Sequence, residues 1–292
     1  MSLQTWIFRH NCKRSDTKRD AGLTTPETIE RHNNLLYGSD KKWQILDVYR
    51  PKNLSGKLPV IVSVHGGGWV YGDKEVYQYY CMDLAQRGFV VVNFTYRLAP
   101  RFKYPAAVED TNSVFHWIMK HADEYGMDTD NIFALGDSAG ASNIGLYAAI
   151  LTNSEYAKRY SFNPPKGLKL NAIGLNCGLY DMSGDDVVAS MKDMFPRKGD
   201  SDERDMLTLL NHITKDYPPC HIFTASDDFL KNEPAALIKV LEENEIPYEY
   251  KLYGSEDNPL YHVFHCNIRS GDAKVANDNE CAFFRKYMKG AV

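Results

Sequence analysis

Gly136-Asp137-Ser138-Ala139-Gly140 sets a serine between two glycines, each two residues away. The bare pattern is common, so its setting decides its weight. A short apolar run, Asn131-Ile132-Phe133-Ala134-Leu135, leads into it, and a small-residue stretch from about 139 to 151 follows. A strand that turns sharply and leaves as a helix is the setting of a nucleophile elbow, which holds a serine oxygen clear of the backbone. The glycines leave room for close strand–helix packing. The helix start also aims unpaired N–H groups at any anion forming there. The implied chemistry is attack by Ser138 on a carbonyl carbon; the bland reading is a Gly-Ser loop capping a helix.

His65-Gly66-Gly67-Gly68-Trp69 supplies a second part. Ester hydrolysis passes through a tetrahedral oxyanion, and each preorganised N–H donor aimed at it is worth roughly 2.7–4 kcal/mol. Such donors need unusual dihedrals, which glycine adopts at low steric cost. A three-glycine run straight after the apolar segment 58–64 therefore suits an oxyanion loop. The chain has neither a GxxxxGK[ST] nor a GxGxxG pattern, which argues against a phosphate cradle. A serine triad needs an acid and then a base downstream. The apolar run 219–225 ends at Ser226-Asp227-Asp228, and residues 255–268 contain His262 and His265. On these residues alone, both pairs stay open.

His65-Gly66-Gly67-Gly68-Trp69, Tyr96-Arg97-Leu98-Ala99-Pro100 and Gly136-Asp137-Ser138-Ala139-Gly140 together resemble the signatures of hormone-sensitive-lipase-like carboxylesterases, acetyl esterases among them. Their order agrees, and the resemblance runs from about residue 40 to the C-terminus. It implies an α/β-hydrolase fold with an oxyanion hole built from the N–H groups of Gly67, Gly68 and Ala139, and His65 as a brace for the loop. The family's Asp-x-Leu pattern falls on Asp228-Phe229-Leu230 and so implies Asp228 as the acid, with Asp227 as the alternative. Its His-Gly-Phe pattern falls on His262-Val263-Phe264 and implies His262 as the base, with His265 as the alternative. The chain departs from the family in two places: Val263 replaces the glycine, and Arg101 stands where a glutamate is usual.

These side chains need a scaffold. Residues 43–49, 58–64, 89–94, 131–135, 170–177, 219–225 and 248–253 read as strands. Helical stretches at about 77–88, 106–121, 139–151, 237–244 and 273–289 alternate with them. The alternation predicts an α/β fold, a mostly parallel sheet flanked by helices. Residues 1–40, with a helix start at Thr25-Pro26-Glu27, are expected to form an N-terminal cap on a catalytic domain spanning 41–292. The polar, charge-rich segment 181–216 interrupts the alternation and is expected to be a cap or lid insertion.

Composition narrows the partners. Of 292 residues, 34 are Lys or Arg and 38 Asp or Glu, a formal net charge of -4. That balance gives no electrostatic reason to expect nucleic acid or an anionic membrane, and the Lys13-Arg14 and Lys18-Arg19 pairs read as solvated surface. No signal-like segment opens the chain and no run approaches a membrane span, so a cytoplasmic location is expected. The six cysteines form no C-x-x-C pair and are expected as free thiols. No metal-ligand motif or cofactor motif appears, and no cofactor is expected. The expected activity is hydrolysis of short, acetyl-like esters, with acetylated sugars among the candidate substrates. The rival readings are an arylformamidase-type amidase and a non-catalytic ligand-binding or adhesion module. Oligomeric state is not encoded in any of these features.

Overall fold

In the parallel heart of the sheet, consecutive side chains alternate between two buried layers. Val60, Val62 and Val64 pack in one, with Val90 and Val92, while Ile61 and Val91 pack in the other. Burial on both faces is why these strands read as near-continuous apolar runs. The computed structural model describes residues 1–290. Its strands are β1 (Ile29–Leu36), β2 (Ile45–Pro51), β3 (Leu58–Val64), β4 (Val90–Phe94), β5 (Met127–Asp137), β6 (Ala172–Asn176), β7 (Cys220–Ala225) and β8 (Tyr248–Tyr253). They form one sheet in the order β1-β2-β4-β3-β5-β6-β7-β8. The β1–β2 and β2–β4 pairs are antiparallel and every other pair is parallel.

The helices are α1 (Leu3–Asp20), α2 (Lys74–Ala85), α3 (Ala106–His121), α4 (Ala139–Thr152), α5 (Ser154–Ala157), α6 (Asp185–Ser190), α7 (Ser201–Leu207), α8 (Glu233–Glu243) and α9 (Gly271–Lys286). Helices α3, α4 and α8 cover one face through Phe115, Ile144 and Leu237. Helices α2 and α9 cover the other through Leu84, Cys281 and Phe284. No helix among the described residues is long and apolar enough to cross a membrane. All six cysteines are free.

The N-terminal segment differs from expectation. No helix starts at Thr25; residues 29–36 instead form β1, so the sheet begins before residue 41. This strand lies at the sheet's edge, with one face toward water, and its sequence lacks the apolar alternation that would mark it. A register shift between His32 and Leu35 bends it. There Asn34, at φ 58°, donates its N–H to Asp47 Oδ1 at 2.8 Å. Asp47 is fully buried and also accepts from Lys74 Nζ at 3.0 Å and from the Tyr49 hydroxyl at 2.9 Å. The edge is thus held by a buried polar knot together with the core packing of Ile29.

Arg97 tethers the segment after β4 to α3. Its backbone N–H and Nε donate to the buried Asp110 on α3, and its Nη2 donates to Glu109 at 2.8 Å. Arg101, the departure from the family pattern, is exposed, with its guanidinium 5.0 Å from the centre of the Phe102 ring.

Candidate active site

Ser138 sits between β5 and α4 with φ 53° and ψ -122°. A serine holds that strained backbone only where its surroundings enforce it. The Ser138 N–H donates to the Asn176 carbonyl on β6 at 2.9 Å, which fixes the elbow to the sheet. The flanking glycines are required by packing. A Cβ at Gly140 would collide with the Val64 carbonyl on β3, and one at Gly136 with the Gly140 backbone.

The glycine loop after β3 lies against the same spot. Gly67 has φ 109°, and a Cβ there would strike the Tyr71 carbonyl, so only glycine fits. Tyr77 organises this loop: its hydroxyl accepts the Gly66 N–H at 3.0 Å and donates to Asp137 Oδ2 at 2.7 Å. Asp137, the variable residue of the serine motif, thereby ties the loop to the elbow. Burial pushes its carboxyl up to about 6 despite the Tyr77 hydrogen bond. His65 lies under the loop. It stacks on Tyr96 with ring centres 4.0 Å apart, and its Nδ1 lies 2.7 Å from the Gly66 carbonyl. Burial drives its pKa down to about 4, which keeps it neutral as a brace. Ala139 opens α4, where leading N–H groups have no intrahelical acceptor.

Asp228 and His262 come together: His262 Nδ1 donates to Asp228 Oδ1 at 2.8 Å. The Asp228 carboxylate also accepts from the Leu230 N–H at 2.8 Å and the Thr224 hydroxyl at 3.1 Å. Burial works to raise its pKa, but the His262 hydrogen bond, the His262 charge and the Leu230 N–H outweigh it and hold the carboxyl below its ordinary value. Asp227 is exposed, and its backbone N–H donates to the Leu260 carbonyl. His265 is fully buried, with its ring edge-on to Tyr80 and Phe223. Burial, first, and its charged neighbours drive its pKa down to about 3. The two histidines diverge at Val263, which adopts a left-handed φ of 54° where the family pattern has glycine.

A cavity of about 590 Å³ is lined by Gly66, Gly67, Gly68, Ser138, Ala139 and His262. No Ser138–His262 hydrogen bond is closed among the described residues, and such bonds often tighten only around substrate. The cavity also has walls from the two segments expected as caps, where no site residue was expected. Helix α1 contributes Phe8, Cys12, Asp16 and Arg19, and the segment after α6 contributes Met191 and Asp193. Asp16 accepts from the Tyr71 hydroxyl at 2.8 Å and from Arg19 Nη1 at 2.9 Å, so a charged, hydrogen-bonded wall faces the serine. Phe229, the middle residue of the acid's Asp-x-Leu, packs on His262 with ring centres 4.3 Å apart.

Two groups of possible metal ligands have their donor atoms within 4.8 Å of one another: Asp137, His265 and Cys266, and Cys177, Asp228 and His262. Burial pushes both thiols well above their ordinary pKa.

Comparison with known proteins agrees with this architecture. An acetyl esterase of Salmonella dublin is 29% identical over 259 residues, 83% of this chain and 76% of the relative. Esterase B of Lactobacillus rhamnosis, solved in a tributyrin phosphonate-inhibited form, superposes with a TM-score of 0.90 at 25% identity, over 97% of this chain and 94% of that one. An esterase of Pyrobaculum calidifontis has the same fold, with a TM-score of 0.78 at 23% identity over 98% and 93% of the two chains. The BD-FAE family model matches residues 46–235, from the antiparallel edge of the sheet through the candidate acid to the start of α8. The chain belongs to the BD-FAE family of α/β-hydrolase esterases.

Proposed function

We propose that this protein hydrolyses short-chain carboxylic esters, acetyl esters foremost, with Ser138, His262 and Asp228 as a catalytic triad. The observation that carries the reading is the 2.8 Å bond between a buried, ionised Asp228 and the Nδ1 of His262, which lines the same cavity as Ser138 and the glycine loop. With Nδ1 engaged, Nε2 is the ring nitrogen left for the serine. His262 takes the proton as Ser138 Oγ attacks the ester carbonyl, and returns it to the departing alcohol. The N–H groups of Gly67, Gly68 and Ala139 receive the oxyanion. Water then attacks the acyl-enzyme by the same route and releases the acid. Asp228 stays ionised throughout and holds the imidazolium as it forms.

The Salmonella relative's name supports acetyl as the acyl group. The wall of Asp16, Arg19 and Tyr71 offers hydrogen-bond partners that suit a hydroxyl-bearing alcohol such as a sugar. Six free thiols fit a reducing compartment such as the cytoplasm.

Ser138→Ala should fold normally, lose labelling by a fluorophosphonate probe, and lose at least about 10³-fold in kcat on p-nitrophenyl acetate. Unchanged turnover would remove Ser138 from the mechanism. A series of acyl chain lengths, with acetylated sugars included, tests the substrate class. Faster turnover of an N-formyl arylamine than of any short ester would make the amidase reading correct.

A further inference from the structure

Helix α1 has two unlike sides. Its inward residues, Thr5, Arg9, Cys12, Asp16 and Arg19, recur every three or four positions and face the protein. Both of its acids are used there, because Asp16 and Asp20 pair with Arg19. Its outward side runs Leu3, Trp6, Ile7, His10, Lys13, Arg14, Thr17, Lys18, and all eight residues are exposed. At 3.6 residues per turn they occupy one sector of about 140°. That sector contains no acidic residue, although the whole chain carries a net charge of -4. Among the described residues, Lys13, Arg14 and Lys18 make no ion pair.

The apolar end of this face is well exposed: Leu3 74%, Trp6 53% and Ile7 45%. It is turned away from the cavity, whose wall is formed by the opposite side of the same helix. Phe8 and Phe229, which line the cavity, are exposed as well, and so is Tyr261 next to His262.

We propose that this face of α1 seats the protein on an anionic phospholipid bilayer, with the helix lying along the surface. The three unpaired cations complement anionic headgroups, and Leu3, Trp6 and Ile7 enter the boundary between headgroups and acyl chains, where tryptophan is favoured. This is adsorption, not spanning, and it is consistent with the absence of a membrane-spanning helix among the described residues. A second copy of the chain is the poorer occupant. Two-fold pairing would set the same cationic sector near itself.

The test is co-sedimentation of the full chain with vesicles of phosphatidylcholine alone and of phosphatidylcholine mixed with phosphatidylglycerol. The expected result is pelleting with the mixed vesicles at low salt, fading as salt screens the charges, and little with phosphatidylcholine alone. Lys13→Glu with Arg14→Glu and Lys18→Glu should weaken the partition at least about tenfold. Leu3→Ser with Trp6→Ser should weaken it comparably and serves as a second, charge-neutral variant. Both variants should keep parental turnover of soluble p-nitrophenyl acetate, since none of these positions lines the cavity. Failure to pellet with the mixed vesicles, or equal pelleting of the charge-reversed variant, overturns the proposal. So does a concentration-dependent dimer in sedimentation velocity that Trp6→Ser dissolves.

Discussion

The Asp228 carboxylate gathers three hydrogen bonds in a buried site, and only one of them comes from a side chain that also reaches the cavity. That asymmetry separates His262 from His265. His262→Ala should lower kcat on a short ester by about 10²–10⁴-fold with little change in melting temperature. His265→Ala should leave kcat within about twofold but cost roughly 1–3 kcal/mol, because it empties a packed aromatic site. Ester kinetics and thermal denaturation of the two variants check both halves, and a reversed pattern would move the base to His265. Spacing alone could not separate them, since both follow β8 in one loop, and only the family's His-x-Phe pattern pointed to His262. What divides them is the left-handed turn at Val263, a backbone event for which a β-branched residue gives no local warning. Ser138 and Gly66–Gly68 were readable for the opposite reason. Their requirements, a strained turn and the absence of a Cβ, are met by residue type within a few positions.

Between elements, the same contrast appears in how α1 is attached. Its contacts are long-range and mostly from arginines to backbone carbonyls. Arg9 donates to the Val70 and Ala99 carbonyls, and Arg19 to the Val76 carbonyl. Arg269, from the loop before α9, clasps the helix end through the Arg19 and Ala21 carbonyls. Nothing in the spacing of residues 3–20 announces these partners, so the helix could be expected only as part of a cap. Removing the clasp with Arg269→Ala should free the C-terminal end of α1. KM should rise roughly three- to tenfold, part of what two bonds worth about 0.5–1.5 kcal/mol each could supply, with kcat little changed. Limited proteolysis should then cut within the first 25 or so residues, as local unfolding exposes them. An unchanged KM and an unchanged digestion pattern would show that α1 holds its place without Arg269. The central strands, by contrast, announced themselves because burial on both faces demands unbroken apolar runs, a demand that an edge strand such as β1 escapes.

For the molecule as a whole, Glu280 sets a distinctive pH response. It is fully buried on α9, accepts a hydrogen bond from Asn176 Nδ2 at 2.9 Å, and has its other oxygen unpartnered. Burial pushes its pKa up to about 8. Between the ordinary value of 4.5 and about 8, the folded state keeps this proton while the unfolded chain has released it. Folding stability contributed by this group therefore falls as pH rises through that window, and the loss is complete above it. Glu280→Gln keeps the acceptor for Asn176 and removes the titration. Its gain in stability should grow with pH and reach a few kcal/mol above about pH 8. Melting temperatures of parent and variant across that range decide it, and a gain independent of pH would mean that Glu280 does not titrate there.

The long-range attachment of α1 also bears on how the protein is made. The helix leaves the ribosome well before Val70, Ala99, Asp193 and Arg269 have been synthesised, and its last clasp comes from a residue 250 positions downstream of Arg19. The nascent chain therefore carries an incompletely docked wall until Arg269 is made. The reaction chamber is fully clasped only after Arg269 has emerged, so the order of synthesis withholds a finished pocket from any chain that stops short of it.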